Sequence, residues 1–138
     1  MLNQTFWTII TATVIFVFGQ IIQNFILKPI QNFKMVLVDI SHKVKFHSNF
    51  LTSFGVPIAN LQIARGDMRD LSCNLESTYL IIPLKDVLSF LKILPSKKKV
   101  RDSAEKLILL SNQGGEKGEG ASNGNAIKDI KKNLNLDL

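Results

Sequence analysis

The chain has 138 residues, of which 46% are hydrophobic, and its 17 Lys and Arg against 11 Asp and Glu give a formal net charge of +6. About 110 residues follow an apolar N-terminal run, which is enough for one small domain but not for two. The lone Cys73 excludes an intramolecular disulfide, and the scattered basic residues form no motif typical of nucleic-acid binding.

The apolar run occupies residues 6–27, contains no charged residue and ends immediately before Lys28. A bilayer core of about 30 Å requires roughly 20 apolar residues in a helix, so this run is long enough to cross it. A cleavable signal peptide would begin with basic residues and end at small ones, and neither is present. A buried core helix would be shorter and would show a polar edge. The run therefore predicts a transmembrane anchor over residues 1–28.

Charge placement predicts the orientation of this anchor. All 17 Lys and Arg residues lie at or after Lys28, whereas residues 1–5 contain none. Because cytoplasmic flanks are enriched in Lys and Arg, we expect the N-terminus outside and the C-terminal domain in the cytoplasm. The net positive charge also favours the anionic lipids of the inner leaflet as a partner.

Helical periodicity continues beyond the anchor. The Lys28-Pro29 step predicts a break or kink, because proline lacks a backbone donor and disfavours helix at the preceding residue. Apolar residues then recur at helical spacing in four stretches. These stretches are residues 33–54, 60–82, 84–94 and 96–110. Asn60 and Ser96 are the expected N-caps of the second and fourth stretches.

The fold class predicted from these patterns is all-α: one N-terminal transmembrane helix, a small cytosolic helical bundle and a flexible C-terminal tail. No segment shows sustained alternation with period two, and we place the bundle at residues 29–112. The residues expected in its core are Ile40, Val44, Leu71, Leu75, Leu88 and Leu107. Residues 113–138 are expected to form a Gly-rich linker and a weak amphipathic segment, since residues 114–125 offer little apolar surface to offset the entropy of ordering.

Candidate chemical groups are sparse. His42 and His47 are five residues apart, so they do not share a helix face as a metal-binding pair would, and hydrogen bonding at the surface or between helices is the better interpretation. Cys73 lacks a His and acid partner and is typical of a small core residue. The glycines from Gly114 to Gly120 follow no strand and precede no phosphate-loop lysine. We therefore expect no catalytic site, no metal and no cofactor.

Two sets of polar residues suggest binding rather than catalysis. Amide side chains in the inner part of the anchor favour interhelical hydrogen bonds, although snorkelling to the inner interface explains them equally well. The expected self-association face consists of Thr13, Gln20, Gln23 and Asn24. A charged flank of the middle helix is either a solvated edge or a surface for a protein partner. The residues of this flank are Arg65, Arg69, Ser72 and Glu76.

Three stretches carry a resemblance to a protein family. They are residues 25–50, residues 64–75 with the later Ile82-Pro83, and residues 94–112. Their shared features are Lys28-Pro29, Arg69 with Ser72 and Cys73, and Leu110-Ser111-Asn112. With these features the chain resembles an uncharacterised family of small bacterial single-span membrane proteins that have a cytosolic helical domain. The resemblance implies a single-pass protein of the bacterial inner (plasma) membrane and no known activity.

Two functions from different classes are compatible with these patterns. The first is a membrane-anchored protein-interaction module, an adaptor or a subunit of a membrane complex, that has an unknown protein partner and no catalytic activity. The second is an oligomeric membrane-perturbing or pore-forming effector, in which the anchors of a homo-oligomer assemble through their amide side chains. Induction of the protein should depolarise cells only in the second case.

Overall fold

The computed structural model describes residues 2–53, 57–113 and 120–136, and nearly all of them are helical. The elements are α1 (Leu2–Ile22), a π-helical turn (Gln23–Leu27), α2 (Lys28–Thr52), α3 (Ile58–Ile81), α4 (Lys85–Phe90), α5 (Lys97–Asn112) and α6 (Gly120–Leu134). No strand occurs among the described residues, so the predicted all-α class is confirmed.

α1, the π turn and α2 form one continuous helix. Over Asn3–Thr52 this helix is long and apolar enough to cross a membrane. Its apolar part is uncovered, because the side chains of residues 3–22 are exposed except for the half-buried Ile10. Phe16 is 66% exposed and Phe18 is 62% exposed. A core helix would be covered by its neighbours, so the alternative of a buried core helix is wrong for this segment.

The π turn lies one turn before Pro29. In a regular α-helix the proline ring would collide with the carbonyl group of Phe25 and would leave that group without a donor. Here the amide of Lys28 donates to the carbonyl oxygen of Gln23, five residues back, which changes the local register. Of the break or kink predicted at Lys28-Pro29, the break does not occur, because the chain stays helical from the apolar segment through the π turn into α2.

α2, α3, α5 and α6 form a closed bundle in which each helix packs against the next and α6 returns to α2. Polar contacts between neighbours join Tyr79 to Pro95, Arg69 to Asn112, Lys106 to Asp129 and Asn123 to Leu51. Along each pair of helices, the residue number rises on one helix as it falls on the other. Neighbouring helices are therefore antiparallel, as in an up-down-up-down four-helix bundle.

The core runs along the axis of this bundle. Its fully buried large side chains include Phe33, Ile40, Met68, Leu75, Leu107, Leu110 and Ile130. Five of the six residues predicted for the core are buried, and Leu88 is only half-buried. The apolar stripes of α2, α3 and α5 thus face the interior as their periodicity predicted.

The bundle has two ends that differ in their distance from the apolar helix. The near end comprises residues 28–37, 79–99 and 131–136, and the far end comprises residues 44–53, 57–69, 107–113 and 120–126. The near end adjoins the π turn because α2 starts there. The far end lies about 30 Å further along the axis, since α2 rises about 1.5 Å per residue.

The C-terminal segment differs from its prediction as a flexible tail, because α6 supplies the fourth helix of the bundle. Asn123 is fully buried and its Nδ2 donates to the carbonyl oxygen of Leu51 at 2.8 Å. A Cβ atom at Gly120 would collide with the carbonyl oxygen of Thr52, so glycine permits the close approach of the two helix ends. Residues 114–119 of the predicted linker lie outside the described residues.

Two other local predictions need correction. α3 begins at Ile58, so Asn60 lies within its first turn and is not its N-cap. α4 has only six residues, and most side chains of the predicted stripe over residues 84–94 are exposed. Ser96, in contrast, caps α5 as predicted, with its hydroxyl oxygen accepting from the amide of Lys99 at 3.4 Å.

Candidate functional site

An open cleft lies between α3 and α5 at the far end of the bundle. It has a volume of about 420 Å³. We call it the arginine cleft, and its lining residues are Gln62, Arg65, Gly66, Arg69, Ser111 and Asn112. The four residues from α3 share one face because their spacing of three and four residues follows the helical repeat.

The arginine cleft is polar and positively charged. Among the residues that the structure describes, its lining carries two guanidinium groups and no carboxylate. Arg69 is held in place, since its Nη2 donates to Oδ1 of Asn112 at 3.0 Å. Gly66 leaves open space, because a Cβ atom there would meet nothing within 4 Å outside its own helix. Guanidinium groups in such a setting suit carboxylate groups, which they bind through paired hydrogen bonds.

The structure places the residues of the predicted partner surface on α3 in three different environments. Arg65 and Arg69 lie together in the arginine cleft. Ser72 is buried and its hydroxyl donates to the carbonyl oxygen of Ala104 at 2.9 Å, so its predicted place on a partner surface is corrected to a contact between helices. Sequence periodicity could not reveal this contact, because it depends on how α5 covers α3.

Glu76 belongs to a different place on the molecule. It is exposed and lines a separate cleft of about 300 Å³ between α3 and α5, nearer the apolar helix. That cleft also contains Tyr79, Arg101 and Glu105, and the last two form an exposed ion pair at 3.0 Å. Charges of both signs meet here, whereas the charged side chains in the described lining of the arginine cleft are both arginines.

The predicted self-association face is exposed along the long helix. Thr13 and Gln20 lie on α1, and Gln23 and Asn24 lie in the π turn. The hydroxyl of Thr13 donates to the carbonyl oxygen of Ile9 at 2.9 Å, so within one chain it is satisfied by its own helix. The role of the three amide side chains in contacts between chains stays a prediction.

A polar network that sequence analysis did not identify joins α2 to α3. Nζ of Lys43 lies 2.8 Å from Oδ1 of Asp67, and Nε2 of His47 lies 2.7 Å from Oδ2 of the same carboxylate. The hydrogen bond from Lys43 lowers the pKa of Asp67 below its usual value, against the opposing effect of burial, and the bond from His47 lowers it further. The same contact with Asp67 raises the pKa of Lys43.

The environment of His47 indicates a structural role for this network. His47 is 4% exposed and lies between aromatic rings, with its centroid 4.9 Å from that of Phe46 and 6.1 Å from that of Phe50. Its hydrogen bond crosses between two helices, as the sequence analysis favoured. His42, by contrast, is exposed on the surface of α2.

Among residues 2–53, 57–113 and 120–136, no group of three or more His, Cys, Asp and Glu side chains could hold a metal ion. Cys73 is exposed, which corrects its interpretation as a core residue. The hydrogen bonds of His47 and Asp67 join these two side chains to each other and Asp67 to Lys43.

Comparisons with known proteins add no relative to this description. The chain matches no family model, no curated protein and no solved structure.

Proposed function

We propose that this chain is a membrane-anchored protein-interaction module without catalytic activity. The observation that carries the proposal is the uncovered apolar helix that continues directly into a closed bundle. Exposed apolar surface of this extent is unfavourable in water and favourable in lipid. The anchor would thus hold the bundle at the bilayer, and its lysine-rich flank favours a cytoplasmic bundle.

The bundle would offer the arginine cleft to its partner. Because this cleft lies at the far end, it faces away from the bilayer when the apolar helix spans the membrane. Its two arginines would bind an acidic segment of a cytoplasmic protein or of another subunit of a membrane complex. Charge pairing of this kind gives a binding surface its specificity for a partner.

A photo-crosslinking residue in place of Gln62 tests the proposed surface in native membranes. We expect a protein adduct that disappears when Arg65→Glu and Arg69→Glu are combined, because both guanidinium groups then become carboxylates. A matched control is the pair Lys128→Glu and Lys132→Glu, which reverses two exposed charges on α6 and should leave the adduct intact. Absence of any adduct, or its persistence in the double arginine variant, would contradict the proposed surface.

A second candidate function is an oligomeric pore-forming effector of the membrane. The exposed amide side chains at Gln20, Gln23 and Asn24 favour it, because they would find hydrogen-bond partners in a second anchor. Membrane potential separates the two functions. Depolarisation of cells on induction would support the effector, whereas an unchanged potential would support the interaction module.

A further inference from the structure

An apolar surface covers the end of α3 and all of α4. We call it the apolar cap, and it consists of Leu80, Ile81, Leu84, Val87, Phe90 and Leu91. Phe90 is 86% exposed, Ile81 is 69% exposed and Leu84 is 63% exposed. A contiguous exposed apolar surface of this kind marks a contact with a membrane or with another macromolecule.

The apolar cap lies next to the apolar helix. The rings of Tyr79 and Phe33 are 5.6 Å apart, which places the end of α3 beside the first turns of α2. Phe33 lies six residues after Leu27, a distance of about 9 Å along the helix axis. Because α3 runs back toward the π turn, Ile81 lies closer still to the predicted end of the hydrocarbon core.

The near end, where the apolar cap lies, is rich in lysine. Its lysines are Lys28, Lys34, Lys85, Lys92, Lys97, Lys98, Lys99, Lys131 and Lys132. Within this set, Lys97, Lys98 and Lys99 occupy the first turn of α5, where positive charge is unfavourable beside the positive end of the helix dipole. Among the described residues of the near end, Asp86 is the one with a side-chain carboxylate. Anionic headgroups would supply the compensating charge.

α4 packs Leu88 against the core and leaves the side chains of Val87 and Phe90 exposed. Leu84 precedes α4 with φ of 53°, and Lys92 follows it with φ of 58°. Both are non-glycine residues whose backbone lies in the left-handed region, a conformation that costs free energy and persists only where the surroundings impose it. Leu94 is buried, so the core fixes one flank of the cap while Phe90 remains exposed.

We propose that the apolar cap inserts into the interfacial region of the bilayer leaflet from which α2 emerges. The apolar side chains of α4 would lie among the upper acyl chains, and the surrounding lysines would contact anionic headgroups, as in interfacial amphipathic elements. This inference rests on the membrane anchoring proposed above. The inserted cap would give the bundle a second contact with the membrane and would fix the tilt of the bundle axis relative to the bilayer surface.

Lipid quenching of a fluorophore tests the insertion in the full chain. Cys73→Ser removes the native cysteine, and Phe90→Cys, Ile63→Cys or Ile15→Cys then introduces one labelling site. The labelled proteins are reconstituted in vesicles of phosphatidylcholine with about one-third phosphatidylglycerol and with brominated acyl chains. Ile63 is the matched control, because it is 61% exposed on α3 at the far end. Ile15 reports on the anchor.

We expect strong quenching at positions 15 and 90 and little quenching at position 63. Quenching at position 90 should fall in vesicles of phosphatidylcholine alone, since the lysines then lose their anionic partners. Quenching at position 15 together with a signal at position 90 no stronger than at position 63 would overturn the insertion and leave the anchor intact. An unquenched label at position 15 would overturn the anchoring itself. An unquenched label at position 90, together with a disulfide between two unlabelled Phe90→Cys chains, would assign the cap to a second copy and overturn the proposal.

Discussion

At the scale of single residues, the network of Lys43, Asp67 and His47 is the best-defined polar contact between α2 and α3. The carboxylate of Asp67 accepts from both partners, and its side chain is 26% exposed. Hydrogen bonds to a charged group are stronger than neutral ones, and a buried partner left unpaired costs free energy. Asp67 therefore fixes the relative position of the two helices.

Asp67→Asn should lower the free energy of unfolding by about 1 to 3 kcal/mol. The amide keeps the shape of the side chain but removes the charge that pairs with Lys43. Urea unfolding at neutral pH measures the effect. Asp70→Asn is the control, because Asp70 is exposed on the same helix and its substitution should change stability by no more than about 0.5 kcal/mol. Equal effects of the two substitutions would contradict the role of the network.

Acid should weaken the same contact. The pKa of Asp67 is lower in the folded chain than in the unfolded chain, so the folded state favours its ionised form. The contribution to stability is fully present above the unfolded pKa of about 4 and is lost as the pH falls through the lower folded pKa. Thermal unfolding between pH 6 and pH 2 should thus show a steeper acid loss in the natural chain than in Asp67→Asn. Parallel curves would show that Asp67 does not contribute.

Sequence periodicity predicted the buried apolar residues and missed the polar contacts between helices. Ile40, Val44 and Leu75 could be placed in the core because an apolar stripe of helical period marks the buried face regardless of what covers it. The contact between Lys43 and Asp67 joins residues 24 apart, and that of Ser72 with Ala104 joins residues 32 apart. Such pairs depend on the rotation of two packed helices, which no local pattern encodes.

At the scale of elements, α6 takes a place in the bundle that sequence analysis gave to the stretch containing α4, and α4 lies outside the bundle. The stretch over residues 84–94 is rich in leucine, yet it forms a short helix outside the bundle. Sequence analysis did not predict α6 as part of the bundle, because the glycines and asparagines before Ala126 disfavour an isolated helix. Burial of Ile127, Ile130 and Leu134 supplies the free energy that local propensity lacks.

Ile130→Ala should therefore destabilise the bundle by about 2 to 5 kcal/mol, because it removes a fully buried side chain. Lys128→Ala is the matched control on the exposed face of α6 and should have little effect. Unfolding followed by far-UV circular dichroism in detergent measures both. A truncation after residue 113 should also expose the bundle to protease, and a protease-resistant truncated chain would show that α6 is dispensable.

Two glycines of α6 give a second test at this scale. Gly120→Ala should destabilise the bundle, because its new methyl group would collide with the carbonyl oxygen of Thr52. Gly124→Ala should stabilise it by about 0.5 to 1 kcal/mol, since a methyl group there meets nothing within 4 Å outside the helix and alanine favours a helix interior. Thermal unfolding of the two variants should therefore shift in opposite directions, and shifts of the same sign would contradict this packing of α6 on α2.

At the scale of the whole molecule, the apolar run predicted a spanning anchor, and helical periodicity predicted a helical remainder. Among the described residues, one helix is long and apolar enough to span a membrane, and the remainder is helical. These patterns did not predict that the apolar helix and α2 would join without a break, because Pro29 marks a disruption of the regular α-helix but does not specify the π turn that accommodates it. The continuous helix places the near end of the bundle beside the predicted membrane surface and the arginine cleft at the opposite end.

Reporter fusions test the proposed orientation. Alkaline phosphatase fused after residue 138 should be inactive, because it folds only outside the cytoplasm, whereas a fluorescent protein at the same position should be bright. Alkaline phosphatase placed before Met1 on a short linker is the reciprocal control and should be active. Phosphatase activity at the C-terminal fusion would contradict a cytoplasmic bundle.

Cross-linking between chains in native membranes tests the predicted self-association face. Gln20→Leu combined with Asn24→Leu should weaken cross-linking, since each interhelical hydrogen bond of this kind contributes about 0.5 to 2 kcal/mol. Thr8→Leu with Thr11→Leu is the control, because it makes α1 more apolar on a different face. Unchanged cross-linking in the first pair would favour snorkelling of the amide side chains to the inner interface.

The docking of α6 onto α2 also determines the order of events during synthesis. The hydrogen bond from Asn123 to Leu51 joins residues 72 apart, and the bundle cannot close until α6 has left the ribosome. The apolar helix is translated first and precedes the end of α6 by a little over 100 residues, or about 5 to 20 s at ordinary elongation rates. Membrane targeting therefore has a time window in which the nascent bundle is still open. Insertion of the proposed anchor within that window would precede closure of the core, and the folded domain would then not expose the apolar helix to water.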